Sequence, residues 1–226
     1  MAPRNTGRPS SATIIPFPRP SELPDNRKIL RIVPDFEGNC LLYSHHALSR
    51  DKLFAIKILC WAQLADGSYV ALVPWLKGIS RCTDLIDADS GKSQGYYNAA
   101  MKRTFSEIPP QYEAALEEYP LLNTQEVTLL QEVPDLIGSH AAMISPERQE
   151  FNLEPVISWQ LFSDGRMEAM IVDKDKVTSL PVLAGDPCLY SAESSSQFRY
   201  FFQYHIANQI KAGGQVATRA LQQLLR

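Results

Sequence analysis

Val33-Pro34-Asp35-Phe36-Glu37-Gly38 and Val133-Pro134-Asp135-Leu136-Ile137-Gly138 follow one pattern, 100 residues apart. Downstream, Trp61 stands five residues before Asp66-Gly67, and Trp159 stands five before Asp164-Gly165. Between these anchors, Ser44-His45-His46-Ala47-Leu48 answers Ser139-His140-Ala141-Ala142-Met143. The offset drifts only from 100 at the valines to 98 at the tryptophans, which small insertions and deletions explain. Four anchors in one order point to an internal duplication. The sequence therefore predicts an α+β fold with two duplicated half-units, residues 27–122 and 123–226. Each reads as strand, hairpin, helix, related by approximate two-fold symmetry and sharing one core.

The hairpins are the sharpest local signals. Asp-Gly between runs of β-formers reads as a two-residue loop, because a type I′ turn needs positive φ at both central positions. With Asp66-Gly67 as the loop, Cys60 faces Val73, Ile58 faces Trp75 and Trp61 faces Leu72. Both faces of this hairpin are apolar, so both are expected to be covered. Pro74 cannot donate to a ladder, which places it at an edge or a bulge. With Asp164-Gly165 as the second loop, Trp159 faces Met170 and Ile157 faces Val172, and this pair is more one-sided. The two tryptophans are read as core residues rather than as a ligand platform.

Helices are expected over Ser93–Phe105, Gln111–Tyr119, Gln197 to Gly213-Gly214 with a cap from Ser194–Ser196, and Gln215–Arg226. The third rests on Phe198, Phe201, Phe202, His205, Ile206 and Gln209 at helical spacing. The fourth carries an apolar stripe that closes the core or makes a homodimer contact through 215–226.

Residues 1–26 hold six prolines and few apolar side chains, a composition too poor in burial to offset ordering entropy. They read as a disordered basic arm. Within it, Pro16-Phe17-Pro18-Arg19-Pro20 favours polyproline II geometry, the form that partner grooves recognise. The first 31 residues carry six basic against two acidic side chains, or +4, which leaves −7 on the remainder of a chain whose net charge is −3. An acidic globular part argues against nucleic acid as the partner. No apolar run approaches the ~20 residues that span a bilayer. Cys40, Cys60, Cys82 and Cys188 form no CxxC and follow no apolar leader, so reduced thiols in a cytoplasm are expected.

Chemical motifs are mostly excluded by their spacing. Gly91-Lys92-Ser93 lacks the earlier glycine of a phosphate loop, since Ile86 occupies that position. Asp84, Asp87 and Asp89 open like a calcium loop, but Lys92 and Asn98 stand where glycine and glutamate belong. Cys40 with His45 or His46 supplies at most half of a zinc site, so no metal and no cofactor is expected. Cys188 has only Asp186 and Glu193 as charged neighbours, which argues against a nucleophile. The remaining catalytic candidates are His45, His46 and His140, a histidine set that a two-fold seam would bring together, and the carboxylates Asp35 and Asp135. The ordinary reading of Pro-Asp followed by Gly is a turn in which the carboxylate bonds to the backbone just ahead.

The sequence thus favours a cytoplasmic binding or regulatory protein working through protein–protein contacts. The alternative is an enzyme or small-ligand sensor with a site in the groove between the half-units.

Overall fold

Residues 27–44, 52–75, 78–82, 92–121, 126–145, 150–177, 181–212 and 215–216 are described by a computed structural model. The fold is mixed α+β and mostly β, with two short helices among those residues. The arm motif Pro16–Pro20, His45, His46 and the stripe beyond Val216 lie outside them.

In the first part of the chain, β1 (Ile29–Pro34) pairs with β4 (Cys60–Leu64), which pairs with β5 (Tyr69–Trp75), which pairs with β6 (Gly78–Arg81). Alongside, β2 (Asn39–Ser44) pairs with β3 (Lys52–Lys57) on one side. On its other side β2 meets β7 (Lys92–Asn98), whose outer neighbour is β8 (Arg103–Phe105). Helix α1 (Pro110–Glu117) follows. In the second part, β9 (Leu129–Pro134) pairs with the C-terminal half of β11 (Phe151–Phe162). Next along come β12 (Met167–Val172) and β13 (Leu189–Ser191). β10 (Ser139–Ile144) lies between the N-terminal half of β11 and β14 (Phe198–Gln203). Helix α2 (Tyr204–Lys211) and β15 (Gln215–Val216) end the described chain, and β15 returns to pair with β3. The pairings of residues 129–203 thus follow the order of those in 29–98, with β11 occupying the place of β3 and β4 together.

Both hairpin registers differ by one residue from the sequence expectation. Trp61 faces Ala71 rather than Leu72, and Trp159 faces Ala169 rather than Met170. The loops contain three residues, not two. Leu64 N donates to Ser68 O and Phe162 N to Arg166 O, while Gly67 and Gly165 alone take positive φ, +84° and +85°. This is a turn closed by a left-handed glycine, and the aspartate before the glycine stays right-handed. Asp66 instead accepts from Ser68 N, and Asp164 from Arg166 N. The shifted register sets each indole against the smallest available apolar partner, which leaves room for the ring.

One expected helix and the first part of another are strands. Ser93–Phe105 forms β7, a turn and β8, and the aromatic run from Phe198 to Gln203 is β14. Consecutive aromatics satisfy helical spacing and strand alternation alike, so periodicity could not separate the two. A 3-10 turn at Ala192–Ser194 stands where a cap was expected, and α2 starts only at Tyr204. At the fourth expected helix, Gln215–Val216 is strand.

β4 and β5 are buried on both faces, as their composition requires. Trp61, Ala71 and Val73 enter a cluster with Leu41, Ile56, Tyr96 and Tyr112. Cys60, Ala62, Leu64, Val70 and Leu72 enter a second cluster with Val133, Trp159, Leu161, Ala169 and Phe201. One core therefore runs through both parts of the chain. The contact is close: a Cβ at Gly165 would lie 2.7 Å from Lys28 Cγ and 3.0 Å from Ile29 N.

Candidate functional site: aspartate turns, a sealed edge and an open one

The carboxylates of the repeated Val-Pro-Asp motif do the same work in both parts. Trp61 Nε1 donates to Asp35 Oδ1 at 3.0 Å, and Asn39 N to Asp35 Oδ2 at 2.6 Å. Trp159 Nε1 donates to Asp135 Oδ1 at 2.9 Å, and Ser139 N to Asp135 Oδ2 at 2.8 Å. Asp35 N bonds to Leu59 O, and Asp135 N to Ile157 O. Each aspartate thus fixes the bend between two strands and gives a core indole its hydrogen-bond partner. The two carboxylates sit with separate tryptophans and do not form a pair with each other.

The environments differ. Asp35 is only 4% exposed, and Asn39 Nδ2 reaches its Oδ1 at 2.6 Å. The Tyr112 hydroxyl from α1 also bonds to it, and burial first, then the charge of Asp35, pushes the Tyr112 phenol well up. Asn98 on β7 extends the network, donating to Asn39 Oδ1 and to Glu37 O. Asn39 and Asn98, with Glu37, Arg103 and Gln111, line a cleft of about 420 Å³. Every lining residue belongs to the first part of the chain, and Glu37 is already bonded to Gln111. At the corresponding register of the second part stand Ser139 and Gln203, and Gln203 Nε2 turns instead to Pro74 O. Pro74 lies past the end of the β4 ladder, where its carbonyl is open to this bond.

His140, on β10, is half-buried; its Nδ1 lies 3.1 Å from Gly138 O and its ring meets Tyr204 edge-on. It contacts neither aspartate through any of these bonds. Among the described residues no group of histidine, cysteine or acidic side chains is placed to hold a metal ion. All four cysteines are free, and burial pushes the Cys40 thiol up to about 11.

The outer edge of β3 is sealed by the end of the chain. Lys57 N donates to His205 Nε2 at 3.2 Å. Gln209, one helical turn on, clamps both polar groups of Ala55, accepting from N at 2.7 Å and donating to O at 2.8 Å. β15 then pairs with Leu53 and Lys52. Four residues of helix rise ~6 Å and two residues of strand ~6.7 Å, so side chains at i and i+4 of α2 match successive edge positions. Burial first, and the Lys57 charge second, pull the His205 imidazole down to about 4, so it is neutral and free to accept. Gln131 makes the same double bond to Ile32 on β1.

No described residue covers the matching edge of β11 in this way. By register, Phe151, Leu153 and Pro155 correspond to Leu53, Ala55 and Lys57. Ser145 N donates to Glu150 O, which makes 143/152 and 141/154 the hydrogen-bonded pairs, so the N and O of Leu153 point away from β10. Among the described residues this stretch pairs with β10 alone. Leu53 is 1% exposed, and Phe151 is 54% exposed. Phe151 touches Tyr200, and Phe202 touches Tyr204, which is itself 53% exposed. Phe201, between them in sequence, faces inward onto Trp159. Sequence reading missed this face because β14 was expected to be helical; the alternation Phe151-x-Leu153-x-Pro155 was the available signal.

No protein-family model, no curated protein and no solved structure matches this chain. Among the described residues no helix is long and apolar enough to cross a membrane.

Proposed function

We propose that this chain is a binding or regulatory protein that works through protein–protein contacts, built by duplication of one β-rich unit. The reading is supported above all by one contrast. The first unit's outer sheet face is covered at Leu53, whereas the second unit's equivalent face leaves Phe151 and Tyr204 exposed beside Tyr200 and Phe202. Aromatic residues grouped on a surface mark interaction sites. The duplication is supported by the shared strand order and by the paired Asp–Trp turns. Four free thiols suit a reducing compartment such as the cytoplasm. The Pro16–Pro20 motif is proposed as an auxiliary contact for the same partner.

The test is native mass spectrometry of the protein isolated from its own cells, as wild type and as the double variant Phe151→Asp/Tyr200→Asp. A second polypeptide present at fixed stoichiometry in the wild type and lost in the variant is expected. Retention of that polypeptide by the variant sinks the reading. A small-molecule adduct, lost on Arg103→Ala, would instead support a ligand sensor using the Asn39–Asn98 cleft, which is favoured by its converging polar groups.

A further inference from the structure

Resting on that reading, we infer that the open edge of β11 takes an extended strand from the partner polypeptide, added antiparallel at Phe151–Leu153 with apolar side chains laid on Phe151 and Leu153.

The chain supplies its own template. The corresponding edge of β3 is occupied by β15, a strand of the C-terminus, and by the Gln209 amide, which pairs with Ala55 N and O as a neighbouring strand would. What covers that edge is therefore backbone-like hydrogen bonding, not side-chain packing alone. On β11, the same positions present the N and O of Leu153 and Phe151 with no described residue to pair them. Leaving such groups to a partner is the basis of strand addition, in which the main chain gives affinity and alternate side chains give specificity.

The site also has a defined length. Pro155 occupies the position of Lys57 and has no N–H to offer, so pairing stops there. Glu154, the next side chain on the opposite face, is held by Lys174 at 2.8 Å. The edge therefore accepts a short strand of two to three paired residues. The exposed Phe151 ring then adds the apolar contact that so short a ladder needs. Phe151 packs on Tyr200 at 5.9 Å between ring centres, giving the incoming alternate side chains a surface on one side of the strand only. That asymmetry specifies a partner segment that is apolar at every second residue.

The probe is the peptide acetyl-Lys-Val-Thr-Val-Thr-Val-Lys-amide, with an analogue N-methylated at alternate amides so that it cannot pair with an edge. Amide hydrogen exchange of the full-length protein is followed by NMR. Without peptide, Leu153 should exchange at least tenfold faster than Ala55. With peptide, Leu153 should slow at least tenfold while Ala55 is unchanged, and the methylated analogue should give no protection. Leu153→Pro should abolish binding; because the analogue tests the same point on the unaltered protein, a folding defect in that variant would not shield the inference. Equal protection by both peptides would overturn strand addition while leaving a side-chain contact, and hence the proposed function, standing. Failure of the peptide to protect Leu153 at all would also overturn it. Leu153 already protected in the free protein would assign the edge elsewhere. Protection that rises with protein concentration would make the occupant a second copy, and protection lost on removing residues 1–26 would make it the chain's own arm; either result overturns a partner strand.

Discussion

Asp35 and Asp135 carry the same bonds to a tryptophan and to the bend ahead, yet Asp35 is enclosed by Asn39, Tyr112 and Asn98 while Asp135 lies half-buried. Leu53 and Phe151 hold the same register position, yet the first is covered by the chain and the second is not. The comparison teaches that one local plan has been finished in two ways. Around the first set of strands the added segments, α1 at the aspartate and α2 with β15 at the edge, close the Asp35 network and the backbone of Ala55 and Lys57 onto the chain itself. Around the second set no described residue makes those additions, and among the described residues the surface left over is aromatic with an unpaired backbone edge.

The largest expected effect breaks the comparison at the aspartates. Asp35→Ala strands the Trp61 indole N–H, Asn39 N and Asn39 Nδ2 in a buried site and should cost about 3–4 kcal/mol, at ~1–3 kcal/mol for each buried group left unpaired with partial relaxation. Asp135→Ala should cost only about 1–2 kcal/mol, because water reaches the bend. Urea unfolding of both variants decides; equal losses would mean that α1 adds nothing to the first site.

Next comes the seal on β3. Gln209→Ala removes both partners of Ala55 and should destabilise the α2–β15 segment by about 1–3 kcal/mol. Its sharper readout is local: the Ala55 amide should exchange faster, approaching the rate at Leu153. An unchanged Ala55 rate would show that β15 alone holds the edge.

The smallest effect is a pair of opposed pH dependences. His205 is lowered to about 4 in the fold, so the unfolded chain binds its proton first, and stability should fall as pH drops from about 6.5 to 4. Glu193 accepts from Ala169 N at 3.1 Å; burial above all raises it to about 7. The folded state then holds the proton longer than the unfolded one, so its contribution is present below the ordinary carboxylate pKa and lost as pH rises towards 7. The two slopes oppose each other between about pH 4.5 and 6.5. Thermal melts of Glu193→Gln should show stability rising with pH across that window, and of His205→Gln falling, each by about 1 kcal/mol after allowance for partial exposure. Parallel profiles in wild type and both variants would remove these groups from the pH response.

Much of this was readable in advance because it is local. The order of the Val-Pro-Asp, Trp and Asp-Gly anchors, the strands around them, the two-sided burial of the first hairpin and the α1 region depend on residue type and short spacing. The turn role of Asp35 and Asp135 was the ordinary expectation, although their bonds to Trp61 and Trp159 span 26 and 24 residues and needed the fold. The register required the three-residue loops, in which Ala65 and Ser163 join the Asp-Gly pair and only the glycine takes positive φ, a difference that side-chain pattern does not encode. β14 was misread because four aromatics in a run fit either period. Which edge is sealed lay furthest from view: Gln209 meets Ala55 across 154 residues and Gln131 meets Ile32 across 99, and an exposed glutamine in a sequence looks the same whether it faces water or a strand. Composition and local pattern thus determined the strands around the repeated anchors and the turn role of the aspartate in each part. Tertiary structure alone decided which backbone edge is closed and which stays open, because hydrogen bonds between distant segments depend on where the chain returns, not on what it is made of.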